Sequence, residues 1–264
     1  RGTPPAPAPL APVRVADLAA DAAALITHLG VGPCRVMGAS LGAMVAQELA
    51  VRRPELVSGL ALLATRCRTD QFRARLGRAQ AARVRTGVSS DHDALAHLLW
   101  LFSPRTLLHE QRAADWFTLF RRFPVVGLGP AAQYEATLIA DQTTELGKID
   151  RPCLVMAFAD DVLTPPELCQ EVASAIPESR YVCFPDCGHF GFLEHPGLVN
   201  AALLEFFASV PRRELVDEVR GPGGGSQGGG GANPGVGLAT TTTPRAAGWA
   251  PEFAAELPAR DTSM

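Results

Sequence analysis

The stretch Gly38-Ala39-Ser40-Leu41-Gly42 limits what this chain can fold into more than any other. It stands between a short apolar run, Cys34–Met37, and a helical pattern that runs from Leu41 to Arg53 and stops at Pro54. A serine with glycine two positions away on each side fits a tight strand-to-helix turn. A Cβ at either glycine is expected to clash with the crossing strand or helix, and glycine accepts the strained backbone such a turn needs. The turn lifts the serine Oγ above a sheet. It also sets the next N–H, that of Leu41, at a helix N-terminus, where a developing oxyanion is stabilised.

The flanking pattern agrees with such a turn. Val15, Leu18, Ala19, Ala22, Leu25, Ile26 and Leu29 recur at helical spacing, and Gly30 closes that helix. Beyond the second helix lies another apolar run, Gly59–Ala64. Helix–strand–turn–helix–strand alternation predicts an α/β fold with a mostly parallel sheet flanked by helices. The alternation resumes with an apolar run at 152–158, a helix over 166–176, a strand over Tyr181–Phe184 and a last helix from Pro196 to about Val210. Between the two halves, residues 66–145 mix charged and apolar residues at helical spacing, with Trp100, Phe102, Trp116, Phe117 and Phe120 prominent. That stretch reads as a helical cap inserted over the site. Residues 1–65 and 146–211 are then the two parts of one core. Residues 3–12 are Pro/Ala-rich and read as extended. The Gly/Pro/Thr-rich tail, 212–264, cannot bury enough apolar surface to offset its ordering entropy and is expected to be disordered.

A nucleophilic serine needs a base. His189 follows the strand at 181–184 on a Gly-containing loop, and Asp160 and Asp161 follow the strand at 152–158. All three sit where a parallel sheet gathers its chemistry, at the carboxyl ends of strands. The order is Ser, Asp, His, and spacing alone leaves both carboxylates open for the acid. Cys183, Cys187 and His189 allow a rival metal-ligand reading. It is disfavoured because Cys183 lies within a strand and no fourth ligand has a suitable spacing. No metal or cofactor is therefore expected. Glu194, beside His195, reads as a helix-start feature.

Composition narrows the partners. A formal charge of -3 on 264 residues gives no whole-surface attraction for nucleic acid or an anionic membrane. No apolar stretch approaches the roughly 20 residues a membrane span requires. Six scattered Cys fit free thiols in a reducing cytoplasm rather than a disulfide scaffold. The expected partner is a small-molecule substrate.

Several phrases resemble the α/β-hydrolase superfamily: Gly38-Ala-Ser-Leu-Gly-Ala43, Gln47-Glu-Leu49, Pro54-Glu-Leu-Val57, Phe158-Ala-Asp-Asp-Val-Leu-Thr-Pro-Pro166, Ile176-Pro177 and Pro185-Asp-Cys-Gly-His-Phe-Gly-Phe-Leu-Glu-His-Pro196. More narrowly, residues 1–211 are similar to actinobacterial non-haem, cofactor-free bromoperoxidase-like serine hydrolases. The resemblance implies Ser40, Asp161 and His189 as a catalytic triad, with the Leu41 N–H in the oxyanion hole. The family's acid stands four residues before a proline, which favours Asp161 (before Pro165) over Asp160. The implied activity is cleavage of small apolar esters or related acyl substrates, with perhydrolase or bromoperoxidase chemistry as a side activity. Three departures accompany it. Relatives begin with further strands and a loop that supplies a second oxyanion donor, and Arg1-Gly2 resembles the residues that close such a strand. The sequence is thus expected to start mid-sheet, with the strand at 34–37 as a bare edge. The alternative function is a catalytically impaired or non-catalytic remnant. Phe158 also stands where many relatives carry Gly, and the tail has no counterpart.

Overall fold

The computed structural model of the chain describes residues 12–211. The segment predicted as extended, up to residue 11, and the tail predicted at 212–264 lie outside the described residues. Four parallel strands, β1 (Cys34–Ala39), β2 (Val57–Leu63), β3 (Cys153–Phe158) and β4 (Ser179–Phe184), form one sheet in the order β1-β2-β3-β4. Every residue of β2 and β3 is buried. Central strands of a parallel sheet are covered on both faces, which is why their sequences run apolar without alternation. β1 lies at the end of the sheet and pairs with β2 alone among the described residues. Its burial alternates, and Met37 faces outward, 56% exposed.

The helices are α1 (Val15–Leu29), α2 (Leu41–Arg52), α3 (Gln71–Arg85), α4 (Asp91–Leu101), α5 (Pro104–Leu108), α6 (Glu110–Arg122), α7 (Leu128–Leu138), α8 (Pro166–Ala175), α9 (Gly191–Glu194) and α10 (Pro196–Ser209). α1 ends on Gly30 in the left-handed region, φ 62°, where its N–H reaches back to the carbonyls of Ile26 and Thr27. α1, α2 and α8 cover one face of the sheet, packing Ala46, Leu49 and Val172 with Leu60, Leu62 and Val155. α10 covers the other face, with Val199, Leu203 and Phe206 against Leu63, Met156 and Phe158. Each such side chain contributes about 1.5–3 kcal/mol when fully buried. Phe158 fits because residue 191 is glycine: a Cβ there would lie 2.2 Å from the Phe158 ring.

Helices α3–α7 occupy the stretch predicted as an insertion, and Arg68 and Asp141 pair in an antiparallel bridge near its two ends. Gly77 of α3 lies so close to Leu138 of α7 that a Cβ would stand 2.5 Å from the leucine's Cδ2. α4 opens on a reciprocal cap. Asp93 Oδ2 accepts from the Ser90 N–H at 2.7 Å and the Ser90 hydroxyl at 2.6 Å, and it also pairs with Arg83 of α3. The Ser90 hydroxyl, then the Ser90 N–H and Arg83, hold the Asp93 carboxyl down to about 2 from an ordinary 3.8. A carboxyl depressed in the folded state stabilises fully above its unfolded value, and that stabilisation is lost as pH falls through the folded value. Asp93→Asn should therefore lower Tm by a few degrees at pH 7, the size of a lost cap of about 1 kcal/mol. The difference from the parent should shrink as pH falls toward 2. Equal deficits at both pH values in thermal melts would show that the carboxylate charge is not the cause.

Candidate active site

The four parallel strands deliver four consecutive turns to one edge of the sheet. Ser40 follows β1, Arg66 follows β2, Asp161 follows β3 and His189 follows β4. Ligands of open α/β sheets bind outside the carboxyl ends of the strands.

Ser40 occupies the turn between β1 and α2 with φ 53° and ψ -119°, a left-handed backbone rare for any residue but glycine. The strain is held in place from both sides. The Ser40 N–H donates to the Leu63 carbonyl at 2.9 Å, and the Ser40 carbonyl accepts from Ala43 and Met44 at the start of α2. Gly38 is needed because a Cβ there would lie 2.2 Å from the Gly42 carbonyl oxygen. The matching expectation for Gly42 is corrected: a Cβ at Gly42 would meet nothing within 4 Å among the described residues. The close approach is made by Gly38 onto the Gly42 backbone, so only one of the pair is sterically required. Leu41 is the first residue of α2, where an N–H has no acceptor within the helix, and it lines the same cavity as Ser40.

Asp161 and His189 are both buried and paired, Oδ2 to Nδ1, at 2.8 Å. The carboxylate accepts three further hydrogen bonds, from the Leu163 N–H (2.8 Å), the Thr164 N–H (2.8 Å) and the Thr164 hydroxyl (2.6 Å). Burial alone pushes the Asp161 carboxyl up. The facing His189 and the hydrogen bonds from His189 and Thr164 outweigh that effect and hold it below its ordinary value. Asp160 is exposed and makes no contact with the imidazole; its N–H donates to the Cys187 carbonyl. An ionised carboxylate only accepts, so Nδ1 carries the imidazole proton and Nε2 is left as a base.

Ser40, Leu41 and His189 line a cavity of about 360 Å³ roofed by α3, α4, α6 and α7. Ser40 Oγ has no hydrogen bond to His189 among the described residues. Catalytic hydrogen bonds in general are often long before substrate arrives.

The histidine loop is bound to the roof by a residue that the sequence reading assigned elsewhere. Glu194 is not a helix-start residue of α10. It ends the short helix α9, and its side chain is buried. Oε1 accepts from the Ser103 N–H at 3.0 Å and the Ser103 hydroxyl at 2.6 Å, while Oε2 accepts from the Gly188 N–H at 2.6 Å. The Phe190 N–H donates to the Leu101 carbonyl at 2.8 Å, and the rings of Phe190 and Phe102 meet edge to face at 5.9 Å. A Cβ on Gly188 would lie 2.5 Å from the Phe102 carbonyl carbon. A charged residue in an otherwise apolar loop phrase, Phe190-Gly-Phe-Leu-Glu194, was the available signal.

Cys183, Cys187 and His189 do not converge as metal ligands, and no three such side chains do so among the described residues. Cys183 is exposed on β4, Cys187 is buried with its thiol pushed up to about 12, and His189 Nδ1 is occupied by Asp161. Burial is the main cause of the Cys187 shift, followed by the nearby carboxylates of Glu194 and Asp160. No helix among the described residues is long and apolar enough to cross a membrane.

Comparison with known proteins places this architecture. Residues 1–202 match the alpha/beta hydrolase family. The protein named non-heme bromoperoxidase BpoC from Mycobacterium tuberculosis H37Rv is 44% identical over 196 residues, covering 73% of this chain and 75% of that protein. A crystal structure under that name superposes with a TM-score of 0.72 at 43% identity, covering 76% of each chain. A thermophilic esterase from Thermogutta terrifontis superposes with a TM-score of 0.66 at 30% identity, covering 76% of this chain and 74% of its own. The protein named carbamate hydrolase RutD from Variovorax paradoxus is 30% identical over 224 residues, 80% of this chain and 79% of that protein. The chain belongs to the alpha/beta hydrolase family.

Proposed function

We propose that this chain is a serine hydrolase of small esters or related acyl substrates, acting from the cytoplasm through Ser40, His189 and Asp161. The observation that carries the reading is the buried Asp161–His189 pair opening on the same cavity as a serine held on a strained turn. Ser40 Oγ attacks the acyl carbonyl, and His189 Nε2 takes the hydroxyl proton. Asp161 keeps the imidazole in the right tautomer and stabilises the imidazolium. The Leu41 N–H, at the positive end of α2, binds the oxyanion. The leaving alcohol takes the proton from His189. Water then attacks the acyl-serine, again with His189 as base, and releases the acid. Hydrogen peroxide in place of water would release a peracid able to oxidise bromide, which is how the name of the BpoC relative would extend to this chain. A cavity of about 360 Å³ suits a small substrate. The free state of all six thiols supports a reducing compartment.

Labelling with a fluorophosphonate, followed by peptide mapping, tests the reading. The adduct is expected on Ser40 and is expected to disappear in Ser40→Ala. The chain should also hydrolyse p-nitrophenyl esters. A folded chain that neither labels at Ser40 nor turns over any ester would make it a non-catalytic member of the family.

A further inference from the structure

Arg66 stands at the carboxyl end of β2 and lines the cavity that holds Ser40 and His189. The Thr65–Arg66 segment is fastened from two sides. Gln47 of α2, fully buried, donates from Nε2 to the Thr65 hydroxyl at 2.7 Å and to the Arg66 carbonyl at 3.4 Å. The Cys169 sulfur accepts from the Thr65 N–H at 3.3 Å and donates to the Thr65 carbonyl at 3.2 Å.

The side chain has no such support. Arg66 Nε is buried without a hydrogen-bond partner, and no carboxylate among the described residues pairs with the guanidinium. Arg73, the other guanidinium lining the cavity, is different. It pairs with Asp70, and its Nε donates to the Leu163 carbonyl at 2.6 Å. Arg73 is therefore hydrogen-bonded and ion-paired within the protein, whereas Arg66 feels the carboxylates of Asp70 and Asp161 only through space, with no hydrogen bond or ion pair to either among the described residues. Burial first, and then repulsion from Arg73, hold the Arg66 guanidinium below its ordinary value. A buried polar group left unpaired costs about 1–3 kcal/mol, and more when charged. An anion bound at Arg66 would remove that cost, and the planar fork of a guanidinium matches a carboxylate with two parallel hydrogen bonds. Leu76, Leu101, Phe120 and Leu163 supply apolar wall in the same cavity.

We infer that Arg66 is an anion-binding residue of the substrate pocket, and that the acyl substrates of this chain carry a carboxylate held by its guanidinium while the scissile carbonyl lies at Ser40. The substrate class follows: a compact ester or lactone with an apolar body and one anionic end. This inference rests on the serine hydrolase reading above.

Two esters isolate the charge. Mono-p-nitrophenyl glutarate and p-nitrophenyl pentanoate differ by a carboxylate against a methyl at the far end of one acyl chain, and the succinate and adipate monoesters vary the reach. For the unaltered chain, the best anionic ester is expected to exceed its neutral partner at least about tenfold in kcat/KM, mainly through KM. Selectivity of that size is modest for a site built to bond a polar group. Arg66→Gln should lower the ratio of anionic to neutral kcat/KM by about tenfold or more, and Arg66→Lys, which keeps charge but not the fork, by less. Should Arg66→Gln fail to melt cooperatively, Arg66→Lys and the unaltered chain carry the test. Turnover of the pentanoate ester with no preference for any anionic ester overturns the inference and leaves the hydrolase reading standing. So does an unchanged ratio in Arg66→Gln, which would mean that the residue acts on the oxyanion or on folding. If no ester is turned over, glutarate itself tests the anion site, and the hydrolase reading falls when Ser40 also fails to label. A rise in Tm of Ser40→Ala on adding glutarate, absent from Ser40→Ala/Arg66→Gln, keeps the site; no rise removes it.

Discussion

Asp161→Asn should reduce kcat for a p-nitrophenyl ester about 10⁴-fold while the chain stays folded, the loss seen when the acid of such a triad becomes an amide. The reason lies in which atoms donate. Asp161 Oδ1 accepts from two backbone N–H groups, at Leu163 and Thr164, and Oδ2 accepts from the Thr164 hydroxyl and His189 Nδ1. An asparagine can keep its oxygen on the two N–H groups. Its amide nitrogen then faces Thr164 and His189. The hydroxyl can turn to accept, but the imidazole can accept at Nδ1 only by moving its proton to Nε2. That tautomer has no base to offer Ser40. Steady-state kinetics beside a thermal melt checks the claim, and a loss under tenfold in a well-folded variant would remove Asp161 from its orienting role. The same carboxyl has a signature in acid. Because it is held below its ordinary 3.8, its contribution to stability is complete above that value and declines as pH falls through the lower folded value.

Glu194→Ala should produce the largest loss of stability among the variants considered, about 3–5 kcal/mol, or on the order of 10 °C in Tm. The substitution removes one buried carboxylate but strands three donors: the Ser103 N–H, the Ser103 hydroxyl and the Gly188 N–H. Ser103 and Gly188 are themselves buried, so water does not replace what is lost. Glu194→Gln retains one acceptor and turns an amide nitrogen toward donors, so it should fall between Ala and the parent. Circular dichroism melts of the three proteins give the order directly. A Tm within about 2 °C of the parent for the alanine variant would mean that the bridge contributes little.

Much of the scaffold was legible because its signals are local. Apolar runs marked β2 and β3, Gly30 and Pro54 closed helices, and the glycine-flanked serine marked the turn after β1. Ser40 and His189 could be nominated from position after strands. Asp161 could not be separated from Asp160 by spacing. Its distinction is that the chain turns at Phe158–Asp161 and buries one carboxylate while exposing the other. Glu194 was misread because its partner Ser103 lies 91 residues away, and the neighbouring His-Pro offered a plausible local role. Gly42 was given a steric role by symmetry with Gly38, whereas the approach involves the side of Gly38 and the backbone of Gly42. Arg66 carried no local signal at all. Only the folded chain shows which arginine lines the cavity with a buried Nε that has no hydrogen-bond partner among the described residues.

The junction of α4 and α5 is stacked on the loop that carries His189, through Glu194, Phe190 and Gly188. Modularity is therefore limited here. Helices α3 and α7 line the cavity from other sides, whereas α6 packs Trp116 and Phe120 on Phe102 and so belongs with this junction. Residues 101–103 cannot be exchanged with the rest of the roof unless residues 188–194 travel with them. Chimeras between this chain and its relatives should survive when their crossovers keep those two segments from a common parent, and should lose the base's alignment when they do not.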